Sequence, residues 1–213
     1  MRYILIALVL MSISCKENQN TSSTDTSERE ETELDTTDSA SSSVVKISSI
    51  EDIKQLYAEV NSRLQQMDTL GFNYNCNNER SGHVRYYSED GNLKIITNSY
   101  GEYSHFSATN TYFIKDDKPY FIMYDETSWT FDGQANGQPQ TKDNVTEKRF
   151  YVVDQQLVKC LEKTYVIRSA ASDNPNPAQV ANKEVTCPSM DELQNAFYTL
   201  YKHRTNTSNV ECL

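Results

Sequence analysis

The sequence is poor in the residues from which metal centres and nucleophilic sites are built, and poor in positive charge. It has three histidines, His83, His105 and His203, none at ligand spacing from another, and no Cys-x-x-Cys pair. The spacings that hold zinc are therefore missing. No Gly-x-Ser-x-Gly elbow, His-Glu-x-x-His helix, phosphate-cradling glycine loop or dinucleotide fingerprint occurs, so the familiar hydrolase, metalloprotease, nucleotide and dehydrogenase signatures are absent. Lys and Arg number 20 against 30 Asp and Glu, a net charge of −10. That sign argues against a nucleic-acid partner, because phosphate binding rests on a basic surface. No apolar run reaches the roughly 20 residues a membrane-crossing helix needs. No cofactor is expected.

What is present begins with a three-part N-terminus. Arg2 supplies a positive start, Tyr3 to Met11 an apolar run, and Ser12, Ile13 and Ser14 precede Cys15. This is the layout of a cleaved secretory signal, residues 1–14, and it is set aside from fold reasoning. Ser14-Cys15 resembles the lipobox of bacterial lipoproteins, of the Bacteroidota type, with serine at position 12 where leucine is usual. The resemblance covers about the first 18 residues and assigns the globular part to no family. It implies that Cys15 is diacylated on sulfur and becomes the new N-terminus. The protein would then be lipid-anchored in the cell envelope, at the outer membrane, facing the periplasm or the surface. Two or three acyl chains, at about 0.8 kcal/mol per buried methylene, hold a protein durably where one chain does not.

Residues 15–43 form a Ser/Thr/acidic stretch whose one large apolar residue is Leu34; from Lys16 on it holds eight acids against Lys16 and Arg29. Such a segment cannot bury enough surface to offset the entropy of ordering it. It is expected to be a disordered tether that holds the folded part away from the membrane. Asp35-Thr36-Thr37 and Asp38-Ser39-Ala40 in it resemble O-glycosylation acceptors of the same bacterial group.

The globular part, residues 44–213, reads as one α+β domain. Ser48 with Glu51 forms a capping box, and Ile50, Ile53, Tyr57, Val60, Leu64 and Met67 recur at helical spacing. The pattern predicts a helix of about five turns lying on the protein's own sheet. Arg85 to Ile96, Thr111 to Met123 and Arg149 to Leu161 then repeat one design: an aromatic pair, two residues, a polar turn and a second apolar run. Each reads as a β-hairpin, with Asp90-Gly91 the strongest turn and Asp116-Asp117 and Asp154-Gln155 weaker ones. Ser189 with Glu192 opens a second helix that carries Leu193, Phe197 and Leu200 and stops near Lys202. The expected architecture is an antiparallel β-meander of about six to eight strands, flanked by an N-terminal and a C-terminal helix. The sheet is expected to be covered on one side and partly aromatic on the other.

Four cysteines remain beyond Cys15: Cys76, Cys160, Cys187 and Cys212. Export places them in an oxidising compartment, so they predict up to two disulfides, with three possible connectivities. A tail reaching back along the last helix makes Cys187–Cys212 feasible, with Cys76–Cys160 its complement.

Two function classes follow. An exported hydrolase would use His83 or His105 as general base beside Ser81 or Ser104, but neighbours along a strand point to opposite faces and need not meet. A non-catalytic binding module has better material. The stretch from Asp125 to Glu147 reads as a connection longer than a fold requires, and it holds the one tryptophan. Tyr124, Trp129 and Phe131 are the candidate binding residues, with Gly133, Gln134, Asn136, Gly137 and Gln138 nearby. An aromatic platform beside amides suits a protein or glycan partner, although Trp129 also continues the alternation of a strand packing on the core. By analogy, inhibitor and immunity lipoproteins fall in the same class. A second polar stretch, Ser169 to Val185, reads as a flexible loop.

Overall fold

The computed structural model describes residues 46–213. The signal segment, Cys15 and the tether lie outside them. Within them, eight strands form a single antiparallel sheet in chain order: β1 (Asp68–Cys76), β2 (Arg80–Glu89), β3 (Asn92–Glu102), β4 (Phe106–Lys115), β5 (Lys118–Ala135), β6 (Gln138–Val153), β7 (Gln156–Arg168) and the two-residue β8 (Lys183–Glu184). Helix α1 (Ile50–Ser62) precedes the sheet and α2 (Met190–Tyr201) follows it.

The three hairpin repeats explain the layering. Tyr86, Tyr112 and Phe150 point to one face, where they join Leu193, Phe197 and Leu200 of α2. Their immediate neighbours Tyr87, Phe113 and Tyr151 point to the other, where they meet Ile53 and Val60 of α1. An adjacent aromatic pair thus feeds both faces, since successive side chains of a strand alternate. The expectation of one covered side is corrected: near the repeat turns the sheet is sandwiched between a helix on each face. After each aromatic pair the register slips by one residue, at Tyr87/Ser88, Phe113/Ile114 and Tyr151/Val152. The turns follow at once. Asp90-Gly91, Asp116-Asp117 and Asp154-Gln155 all have positive φ at both positions, the backbone of a type I′ turn, whose twist matches that of the strands it joins.

The α1 cap sits one residue later than the Ser48/Glu51 reading. Ser49 Oγ accepts from the Asp52 amide at 3.1 Å while Asp52 Oδ2 accepts from the Ser49 amide at 2.9 Å. The Ser48 amide and hydroxyl donate to the same carboxylate, and these bonds hold the Asp52 pKa below its ordinary value. The helix is also shorter than five turns. It ends at Ser62, and a 3₁₀ turn (Leu64–Gln66) carries Met67 into the core instead.

The disulfides pair Cys76 with Cys212 and Cys160 with Cys187, which overturns the Cys187–Cys212 and Cys76–Cys160 expectation. The reason is the path of α2. It starts beside β7, where Val185 donates to the Cys160 carbonyl at 3.0 Å. It ends over β1 and β2, where the Tyr86 hydroxyl donates to the Leu200 carbonyl and His203 packs on Phe72. Cys187 and Cys212 are therefore carried to opposite edges of the sheet. The tail then runs beside β1, with Val210 donating to the Asn73 carbonyl and Asn75 donating to the Glu211 carbonyl, both at 3.1 Å.

Two stretches read as loops are structured. Asp125 to Glu147 is the long distal part of the β5–β6 hairpin, turned at Asn136-Gly137, again with positive φ at both residues. Ser169 to Val185 crosses the sheet face that α1 occupies, forming a 3₁₀ turn (Pro177–Gln179) and then β8.

Candidate functional site

Away from the repeat turns neither helix reaches the sheet, and the face below α1 is left open. Its composition changes row by row. Nearest α1, Phe113 stands opposite Ile95 and Phe121. Two residues on, Thr111 stands opposite Thr97 and Met123. Next comes a polar row that crosses the sheet from β1: Asn73, His83, Ser99, Thr109, Asp125, Glu147 and Lys163 are successive cross-strand partners. The following row is Asn75, Ser81, Gly101, Ser107 and Thr127. These rows form a shallow trough of about 450 Å³ whose floor is Ser81, Ser99, Gly101, Ser107, Thr109 and Thr127. Small hydroxyl side chains keep the floor low, and the Ser99 and Thr109 hydroxyls are bonded to each other at 2.9 Å.

One end of the trough is aromatic. Trp129 stands two residues beyond Thr127 on β5, hence on the same face, and its amide donates to the His105 carbonyl at 3.0 Å. The indole lies against the His105 ring with centroids 4.0 Å apart and donates its N–H to the Ser104 carbonyl. Phe131 follows on the same face, edge-on to Trp129 at 5.5 Å and largely exposed.

The β6–β7 side is walled by the crossing segment. Glu147 receives Lys163 at 3.0 Å, Arg149 at 3.3 Å and the Tyr165 hydroxyl at 2.9 Å. Lys163 also donates to the Pro177 carbonyl, and Arg149 to the Asn182 side chain, both at 2.8 Å. These bonds pin residues 177 and 182 over the sheet. Burial, with help from the bond to Glu147, pushes the Tyr165 hydroxyl up to about 12. Burial first, and then the negative charge of Glu147, raises the pKa of Asp125 at the trough's edge. His83, at the β2 end, is held below its ordinary value by partial desolvation and by Arg85.

The structure sorts the sequence candidates. Trp129 and Phe131 are together. Tyr124 is on the opposite face, packed edge-on against Phe150 and hydrogen-bonded to the Tyr112 hydroxyl at 2.9 Å. It belongs to the α2-side core and not to a platform with Trp129. Ser81 and His83 lie two residues apart on β2 and share a face, contrary to the expectation that sequence neighbours here would diverge. His83 and His105 do not converge: His83 lines the trough's β2 side, and His105 lies beyond Ser107 in the aromatic stack. His83 and Asp125 share a row but are separated by β3 and β4, about 14 Å at the usual strand spacing, too far for a histidine–carboxylate pair. Sequence reading missed the trough altogether. Its signal was the run of Ser, Thr and Gly at alternate positions of β2 to β5, visible only once the register was known.

Among the described residues, no group of three His, Cys, Asp or Glu is placed to hold a metal ion, and no helix is long and apolar enough to cross a membrane. No family model, curated protein or solved structure matches the chain.

Proposed function

We propose that this protein is a lipid-anchored component of the cell envelope whose folded domain is a non-catalytic binding module for a protein or glycan partner. The observation that carries the binding role is the hydroxyl-floored trough ended by the Trp129–His105 stack. A concave polar surface with an aromatic end gives a ligand both orientation and contact area. Placement in the envelope rests on Cys15 behind the apolar run Tyr3 to Met11. The chain enters the described domain at Lys46, beside the Asp116 and Asp154 turns, which is the pole opposite the aromatic end.

Affinity capture of the full-length protein from its native envelope, followed by mass spectrometry, tests both halves. The expected mature protein begins at an acylated Cys15, and it retains a partner that Trp129→Ala releases. Recovery of an unacylated product starting elsewhere would end the envelope assignment. A partner held equally well by Trp129→Ala would end the binding-face assignment.

A further inference from the structure

Resting on that reading, we infer that the trough's ligand is a neutral oligosaccharide lying across strands β2 to β5. The lining contains neither lysine nor arginine. The nearest cations are engaged elsewhere, Arg85 with the Phe72 and Val84 carbonyls and Lys163 and Arg149 with Glu147, so the lining itself offers no cation to a phosphate, sulfate or nucleic-acid backbone. Its charged or titratable side chains on this face are Asp125 and His83, set at opposite sides of the floor, since the Tyr100 ring packs on the α2-side core. Between them stand the Ser81, Ser99, Ser107, Thr109 and Thr127 hydroxyls, each able to donate and to accept. A ligand that presents many hydroxyls of its own matches such a floor. An acidic glycan is disfavoured by two neighbouring carboxyl groups, Asp125 and its cross-strand partner Glu147.

The alternatives fit less well. A peptide joining the sheet as an extra strand needs a free edge. At the trough's β1 end that edge is filled by the chain's own tail, with Asn73 and Asn75 bonded to residues 209, 210 and 211. A bound helix needs an apolar groove, and the floor here is polar. The span from His83 to Asp125, about 14 Å, is the length of a short oligosaccharide. Trp129 and the exposed Phe131 stand off that line, two and four residues beyond Thr127 on β5, and supply an apolar surface for the C–H face of a sugar ring that extends past the floor. Asp125 makes no side-chain hydrogen bond within the described residues, and its position at the floor's edge leaves it to accept from a sugar hydroxyl.

The test is a titration of the ¹⁵N-labelled chain with four neutral probes, cellohexaose, xylohexaose, mannohexaose and chitohexaose, and one acidic probe, oligogalacturonate. At least one neutral probe should shift the amides of Ser99, Thr109 and Thr127 saturably. Asp125→Ala, and separately Ser107→Gln, which fills the floor from an exposed position, should each weaken binding about tenfold or more. Tyr198→Ala, exposed on α2 across the sheet, should leave it unchanged. The inference is overturned if no neutral probe shifts the trough at millimolar concentration, if both floor variants bind as the parent does, or if oligogalacturonate binds equally well. Envelope capture that still depends on Trp129 after such a failure would leave the binding module standing with a different ligand.

Discussion

Strand β5 passes through two environments. Residues 119–122 are buried, with Phe121 against α1 and Ile122 against the α2-side core, while from Asp125 to Phe131 the same strand has solvent on the trough face. The first stretch is packed on both faces, and the second carries polar and aromatic groups over a floor of small hydroxyls. Each half of the sheet is held together by the same ladder, so the difference lies in the side chains. The near half fixes the fold. The far half uses the rigidity so gained to hold a surface in place, an arrangement that favours binding on a preformed site.

Four measurements sharpen or break that contrast. The largest effect is expected from Phe197→Ala, which removes a fully buried ring from α2 and should cost about 3–5 kcal/mol in denaturant unfolding. A cost below about 1 kcal/mol would show that the near half does not carry the stability. Next comes the double change Cys76→Ser with Cys212→Ser. It opens a crosslink spanning 136 residues, against 27 for Cys160–Cys187, and is expected to cost about 2–5 kcal/mol. Amide exchange at Asn73, Asn75 and Val210 should quicken with it; unchanged protection there would mean that the tail holds the β1 edge without its clamp.

Ser49→Ala removes the α1 cap and should cost about 1 kcal/mol, read as a lower melting temperature with the trough's binding unaltered. If Ser48→Ala proves the costlier change, the cap has been placed one residue too late. The smallest effect belongs to Asp125→Asn and has the opposite sign. Burial and Glu147 raise the folded-state pKa of this carboxylate, so ionised Asp125 costs stability at pH values above that raised pKa. The variant should therefore be slightly more stable at neutral pH, and its advantage should fade as the pH falls through the raised pKa toward the ordinary carboxylate value. A variant that is less stable at pH 7 would mean that the charge is satisfied in the fold and is not held ready for a ligand.

Much of the near half was legible in the sequence. Three hairpins, both helices and the meander follow from aromatic pairs, turn residues and helical spacing, because each signal is local. The far half was not. Asn136-Gly137 is the strongest kind of two-residue hairpin signal, yet the polar residues around it resemble a loop, since strands facing water carry no apolar alternation. Tyr124 illustrates the reverse problem. It sits in the same strand as Trp129, and only its odd-numbered offset places it across the sheet, which the register settles.

The linear pattern placed the three repeat turns, the apolar positions of the repeats and helices, and the charge that disfavours a nucleic-acid partner. Those are properties of neighbours along the chain. The tertiary structure alone decided the cysteine pairing, the row that joins His83 to Asp125, and the open trough beside Trp129. Each depends on residues far apart in sequence being brought to one place by the path of α2 or by the strand register, and a linear pattern contains neither.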